Sequence, residues 1–185
     1  SAVNTLIDAA VTRFGGLDIL VNNAGIHVPG NSQEISVADW DRVTGLNLRG
    51  VFLAIKASVP HVRKSDFGRI INIASIHAFG GAGEAGVANL TPDIAIEVAP
   101  DSVTVNSICP GYIETAIQDY QTVEQIEVTR RKTPLPRLGT PRDIGRAAVF
   151  HSRLPLPKRG HVIAANLTTF IGYCRHFLSH LFDFL

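Results

Sequence analysis

Apolar positions along this chain switch repeatedly between a helical and an extended rhythm. Leu6, Ile7, Ala10, Val11 and Phe14 share one face of a helix. Gly15-Gly16 follows where a left-handed C-cap is expected. Ile19-Leu20-Val21 then reads as a strand buried on both faces, closed by Asn22-Asn23-Ala24-Gly25. A loop covers 26–33, and Ser36 with Asp39 three residues on approximates a capping box. One long helix is predicted from there to about Arg63. Its apolar face carries Trp40, Val43, Leu46, Leu48, Phe52, Ile55 and Val59, and its pattern is interrupted near Gly45 and Gly50, on either side of Asn47. Asp66-Phe67-Gly68 turns into a second strand, from Arg69 to Ala74, ending at Ser75. A Gly/Ala-rich segment over 78–86 leads into a helix ending near Ala99, and Pro100-Asp101-Ser102 turns into a third strand from Val103, ended by Cys109-Pro110-Gly111. Residues 118–132 predict a polar-faced helix and 134–141 a rigid connector. Thr140 caps a last helix, with Pro141 at its favoured first position, running to about His151.

Strands alternating with helices through short connections predict an α/β fold: a partial Rossmann-like, doubly wound parallel sheet in three layers. In such sheets ligands bind beyond the carboxyl ends of the strands. The polar and Gly-rich tips of all three strands therefore fall on one edge, where they can build a site together. This pattern occupies residues 1–150. Residues 151–185 form an atypical C-terminal tail that holds four of the seven histidines and four of the nine phenylalanines.

Composition narrows the partners. The 185 residues are 45% hydrophobic and 18% charged with a net charge of +1, which gives no electrostatic reason for nucleic acid or an anionic membrane as partner. Two cysteines are too few for a disulfide framework, and a reducing, cytoplasmic setting is expected. No apolar run is long enough to span a bilayer. The absence of methionine suggests a processed product or a fragment of a longer protein.

Asn22-Asn23-Ala24-Gly25, Asn47 within Leu46-Asn47-Leu48, Ser75 and Cys109-Pro110-Gly111-Tyr112-Ile113-Glu114-Thr115 together resemble the short-chain dehydrogenase/reductase family, in order and near-correct spacing. Pro134-Leu135-Pro136-Arg137-Leu138-Gly139-Thr140-Pro141 with Asp143-Ile144 extends the resemblance, which runs from about Ile7 to about Phe150. It implies reversible hydride transfer between NAD or NADP and a small alcohol or ketone, in a protein that assembles as a homo-oligomer. By the same resemblance Asn47 holds a helix bend and a relay water, and Ser75 hydrogen-bonds the substrate oxygen. Asn22, Asn23, Ala24 and Gly25 shape the cofactor crevice, and Pro110, Gly111, Ile113 and Thr115 face the nicotinamide end.

The chain departs from that family where chemistry is concentrated. The Gly-rich phosphate loop and the strand that selects NAD or NADP are not in the sequence. Neither is the Tyr-x-x-x-Lys pair: four places after Tyr112, Tyr120 and Tyr173 stand Ala116, Glu124 and Phe177. The stretch between Ser75 and Leu90 is about two helical turns short of the family pattern. A tail like a shifted reading frame replaces the usual ending. These departures predict an inactive chain or a catalytically silent fragment acting only through oligomerisation.

Other motifs carry less. Gly81-Ala82-Gly83-Glu84-Ala85-Gly86 matches a dinucleotide fingerprint in letters, but it follows no strand directly and reads as a small-residue loop near the substrate pocket. His176 and His180 near Cys174 lack a fourth ligand for structural zinc, so no metal is expected. His77 is equally a pocket residue or an ordinary loop residue, and Cys109 reads as a small buried hydrophobe. The outer edge of the Ile19 strand is expected to lie open and favour aggregation.

Overall fold

Strands β1 (Ile19–Asn22), β2 (Arg69–Ile73) and β3 (Thr104–Ile108) lie parallel and side by side in that order. They belong to a computed structural model that describes residues 1–76, 82–135 and 137–153. His77, Gly81, Pro136 and the tail from 154 onward, with Cys174, His176 and His180, lie outside the described residues. The pairing register sets Leu20 beside Ile70 and Ile70 beside Val105, while the next row is Val21, Ile71 and Asn106. Successive rows point to opposite faces.

The first row joins the main core. Leu20, Ile70 and Val105 pack with Ile7 of α1 (Ala2–Phe14), with Val51, Ile55, Val59 and Val62 of α3 (Val51–Val62), and with Val87, Ile94, Ala95 and Val98 of α4 (Ala82–Val98). Ile55, Ile70, Val62 and Val98 are essentially sealed from solvent. Burial of such a side chain contributes on the order of 1.5–3 kcal/mol. On the opposite face α6 (Pro141–Arg153) lies against β2 and β3, with His151 fully buried. Helices thus lie on both faces of a parallel sheet, as the alternating pattern predicts, although the second face is covered only over β2 and β3.

Several expectations need correction. β1 is not buried on both faces: Leu20 and Asn22 are buried, but Val21 is 47% exposed. α6 reaches β2 and β3 and leaves the Val21 side of β1 without cover among the described residues. Only Ile7 of the expected α1 face is buried; Leu6 and Phe14 are 68% and 76% exposed, because α1 packs on α3 along a narrow line. The expected long helix is three segments: α2 (Val37–Thr44), a π-helical segment Gly45–Gly50, and α3. Its apolar face is correspondingly shifted, with Trp40, Leu46 and Phe52 exposed while Val51 and Val62 are buried. Residues 82–86 are already helical rather than a loop. Gly86 sits so close to Leu48 that a Cβ there would fall 2.9 Å from both Leu48 methyls, so α4 and the π-helical segment meet almost backbone to side chain. The polar helix begins later than expected, as α5 (Val123–Lys132), behind a reciprocal capping box between Thr122 and Gln125.

The turns follow from local chemistry. Ser36 accepts the Asp39 N–H at 3.0 Å and starts α2. Gly15 closes α1 at φ 82°, donating its N–H to the Val11 carbonyl at 2.8 Å. At Gly68 any Cβ would collide with the Val62 carbonyl, so only glycine lets the chain pass from α3 into β2.

Candidate active site

Beyond the carboxyl ends of the three strands lies one open cavity of about 930 Å³. Its wall includes Asn23, Ala24 and Gly25 after β1, Ser75 after β2, and Pro110, Gly111, Ile113 and Thr115 after β3. Asn47 of the π-helical segment also lines it. Eight loop residues from three separate strands, with one helical residue, therefore meet around a common hollow.

Asn22 does not line that hollow. Its side chain is buried and its Nδ2 donates to Asn72 Oδ1 on β2 at 2.8 Å. Asn72 Nδ2 in turn donates to Thr91 Oγ1 at 3.0 Å, and the Thr91 hydroxyl donates to the Val87 carbonyl at 2.8 Å. This buried polar relay ties β1 and β2 to α4. Every member but the last is a side chain, so the relay fixes the height of α4 over the sheet rather than serving a ligand directly.

The lip at Ser75 is held by continuation of the strand ladder. Ala74 donates to the Ile108 carbonyl at 2.8 Å, and Ile76 donates to the Pro110 carbonyl at 2.9 Å. Ser75 is thus carried alongside Cys109, next to Pro110 and Gly111. Burial pushes the Cys109 thiol pKa up, partly opposed by hydrogen bonds from the Ser107 hydroxyl and the Ser75 backbone. A thiol kept protonated and buried is a packing group, as the sequence suggests.

Asn47 owes its position to the change of helical pitch. A π-helical turn admits one more residue than an α-turn and re-aims the side chains within it. Asn47 Oδ1 accepts the Ile26 N–H at 3.0 Å and its Nδ2 donates to the Ile26 carbonyl at 2.9 Å. The loop after β1, which carries Asn23 to Gly25, is thereby clamped to the helix.

The loop after β3 is anchored from the other side. Gly139 donates to the Tyr112 carbonyl at 3.1 Å and Glu114 donates to the Gly139 carbonyl at 2.9 Å. A Cβ at Gly139 would run into Ile113, so the connector needs glycine to approach this closely. The Arg137 guanidinium grips Asp143 with both Nη atoms, at 2.6 and 2.9 Å, while the Thr140 N–H and hydroxyl donate to the same carboxylate at 2.8 Å each. That set of donors holds the Asp143 carboxyl far below the usual range. The Thr115 hydroxyl donates to the Ile113 carbonyl at 3.4 Å.

Polar wall residues that were not among the site residues expected from sequence include His27, Tyr120, Gln121 and Lys132. Position alone could have flagged His27, two residues after Gly25. The others belong to the chain following β3, which only the fold of that segment brings back over the strand tips. Tyr112, next to Gly111, also lines the cavity. Burial and the nearby Tyr120, Glu114 and Asp119 raise its phenol above the ordinary value. Among the described residues no group of His, Cys, Asp and Glu could hold a metal, and no helix is long and apolar enough to cross a membrane.

A family model described as enoyl-(acyl carrier protein) reductase matches residues 1–152. The chain is 40% identical over 133 residues to a D-beta-hydroxybutyrate dehydrogenase of Rhizobium meliloti, covering 68% of this chain and 52% of that protein. It is 39% identical over 160 residues to 3beta-hydroxysteroid dehydrogenase 1 of Eggerthella lenta, covering 80% of this chain and 61% of that protein. Among solved structures, the ligand-free aldohexose dehydrogenase of Thermoplasma acidophilum superposes with a TM-score of 0.73 at 28% identity, covering 81% of this chain and 66% of that one. The chain spans between half and two-thirds of the length of these curated relatives.

Proposed function

The chain belongs to the short-chain dehydrogenase/reductase family, and on that premise we propose that its crevice serves hydride transfer between NAD or NADP and a small alcohol or ketone. The single observation that carries this reading is the shared cavity, in which Ser75, Asn47, Gly25, Gly111 and Thr115 face one hollow at the strand ends. The wall fits the nicotinamide end of such a cofactor. Ile73, Val87, Ile113 and Ile144 supply apolar surface for a flat ring, and Thr115 and Ser75 supply hydroxyls at its rim. When bound, the cofactor gives or accepts a hydride at its nicotinamide ring.

The chain's own residues divide the remaining work. Ser75 donates a hydrogen bond to the substrate oxygen and orients it. Asn47 keeps the Asn23–Gly25 loop at the height the crevice needs. Pro110, Gly111 and Ile113 exclude water from one side of the reacting centre, which strengthens every polar interaction inside it.

Proton transfer is the weak part. α4 contains neither tyrosine nor lysine. Loss of a positioned general acid costs roughly 10²–10⁴-fold in rate, so efficient turnover by this chain requires a proton donor from outside α4. A second reading, a silent chain that works by association with other copies or relatives, would use a further open hollow of about 820 Å³ between α2, the π-helical segment, α3 and α4, where Asp41, Arg49 and Asp93 stand beside apolar residues. Its wall includes Leu48, Phe52 and Leu90.

Fluorescence titration with NADH and NADPH, followed by alcohol-dependent nucleotide reduction, tests the choice. Saturable binding supports the oxidoreductase reading. A folded oligomer that binds neither nucleotide at millimolar concentration overturns it in favour of the silent one.

A further inference from the structure

We propose that Tyr120 is the proton donor of this crevice, acting on the substrate oxygen in place of a phenol on α4. The inference rests on the hydride-transfer reading of the same site. Two tyrosines line the cavity among the described residues, Tyr112 and Tyr120, and their surroundings separate them. Tyr112 is held in its neutral form by burial and by Tyr120, Glu114 and Asp119 around it, which oppose the phenolate an acid must become. Tyr120 is 48% exposed, and its Oη accepts an N–H from Gln121 Nε2 at 3.2 Å.

The same Nε2 donates to Gln118 Oε1 at 3.1 Å, which fixes the donor edge of the amide toward the phenol. The phenol oxygen takes its hydrogen bond from Gln121, which leaves the O–H of Tyr120 to serve another acceptor. The imidazole of His27 lies over the Tyr120 ring with centroids 4.9 Å apart and planes tilted by 34°. This contact joins the loop after β1 to the loop after β3 and holds the phenol at the wall shared with Ser75.

In ketone reduction, hydride addition at the carbonyl carbon, which a bound reduced nicotinamide would supply, moves the C=O π pair to oxygen. The Tyr120 O–H bond breaks and its proton passes to that oxygen. The phenolate is stabilised by the Gln121 N–H until water reprotonates it. Alcohol oxidation runs the same transfers in reverse.

The test uses the full chain as wild type, Tyr120→Phe and Gln121→Met. It measures cyclohexanone reduction by NADH and NADPH, nucleotide binding by fluorescence, and cyclohexanone binding to the nucleotide-free chain by calorimetry. Tyr120→Phe is expected to lower kcat/KM by about 100-fold or more while nucleotide Kd stays within about twofold. It also weakens cyclohexanone binding about three- to tenfold, the worth of one neutral hydrogen bond. Gln121→Met keeps the phenol and is expected to lose about tenfold in kcat/KM, the worth of about one hydrogen bond to the developing charge. Equal turnover in wild type and Tyr120→Phe overturns the inference. So does a wild type that binds nucleotide, reduces no ketone and shows the same cyclohexanone Kd as Tyr120→Phe; in that case the nucleotide-binding reading survives. Failure of the wild type to bind either nucleotide removes both.

Discussion

The carboxamide of Asn47 grips the peptide group of Ile26 in both directions, accepting its N–H at 3.0 Å and donating to its carbonyl at 2.9 Å. A side chain that pairs both polar groups of one residue acts as a strand of backbone would. Here it ties the loop after β1 to a π-helical turn, the one place where the long helix changes pitch. The wall of the crevice therefore depends on a helix irregularity 21 residues away in sequence. Asn47→Leu leaves the N–H and the carbonyl of Ile26 without partners in a partly buried site. We expect a loss of about 1–3 kcal/mol in unfolding free energy, read from urea midpoints, together with weaker NADH binding in the fluorescence titration. Unchanged stability would mean that water satisfies Ile26 as well as Asn47 does.

The Asn22–Asn72–Thr91 relay makes a distinct prediction. Thr91→Val preserves shape but removes the acceptor of the buried Asn72 N–H. The expected cost is about 1–3 kcal/mol. Asn72→Leu, which removes the centre of the relay, leaves both Asn22 and Thr91 short of a partner and should cost more than Thr91→Val. Guanidinium unfolding of the two variants checks the order.

Two glycines should respond oppositely to alanine. At Gly68 a methyl collides with the Val62 carbonyl and approaches Val103 at 3.0 Å, so Gly68→Ala should destabilise by about 1–3 kcal/mol. At Gly16 nothing lies within 4 Å and the backbone is not left-handed. Gly16→Ala should stabilise by about 0.4–1 kcal/mol, by reducing the freedom of the unfolded chain. Thermal melts of both variants side by side provide the comparison.

Acid sensitivity should trace to Asp143. Its carboxyl is held down by Arg137 first and by the Thr140 N–H and hydroxyl next. Because the folded pKa lies below the unfolded one, its contribution is complete above the unfolded value, near 3.9, and drains away as pH falls toward the folded value. Asp143→Asn should therefore be less stable than wild type at pH 7, with a constant gap down to about pH 5 that narrows below about pH 4. Urea midpoints measured at intervals from pH 7 to pH 3 would show this. A gap that stays constant to pH 3 would count against the Arg137–Asp143 fork.

Much of this protein was legible in its residues, and the limits have physical causes. Periodicity and punctuation sufficed for α1, the three parallel strands, the C-cap at Gly15 and the start of α6 at Pro141, because these depend on neighbours a few residues apart. The break in the long helix was legible too, from Gly45 and Gly50, although not its π-helical form. The strand-tip motifs pointed to one shared hollow because parallel strands must present their carboxyl ends on a common edge. Only the tertiary structure could decide which faces are covered. Val21 and Phe14 are apolar in any context, and whether they are buried depends on where α6 and α3 come to lie. Asn22 and Asn23 are identical in kind and adjacent, yet one turns inward to Asn72 and the other faces the crevice, because Asn22 is the last residue of β1, paired beside Asn72, while Asn23 already belongs to the loop beyond the strand. The meeting of His27 with Tyr120 likewise joins loops that sequence places far apart. Local physics chooses the elements, while the packing of distant side chains assigns each residue its partner.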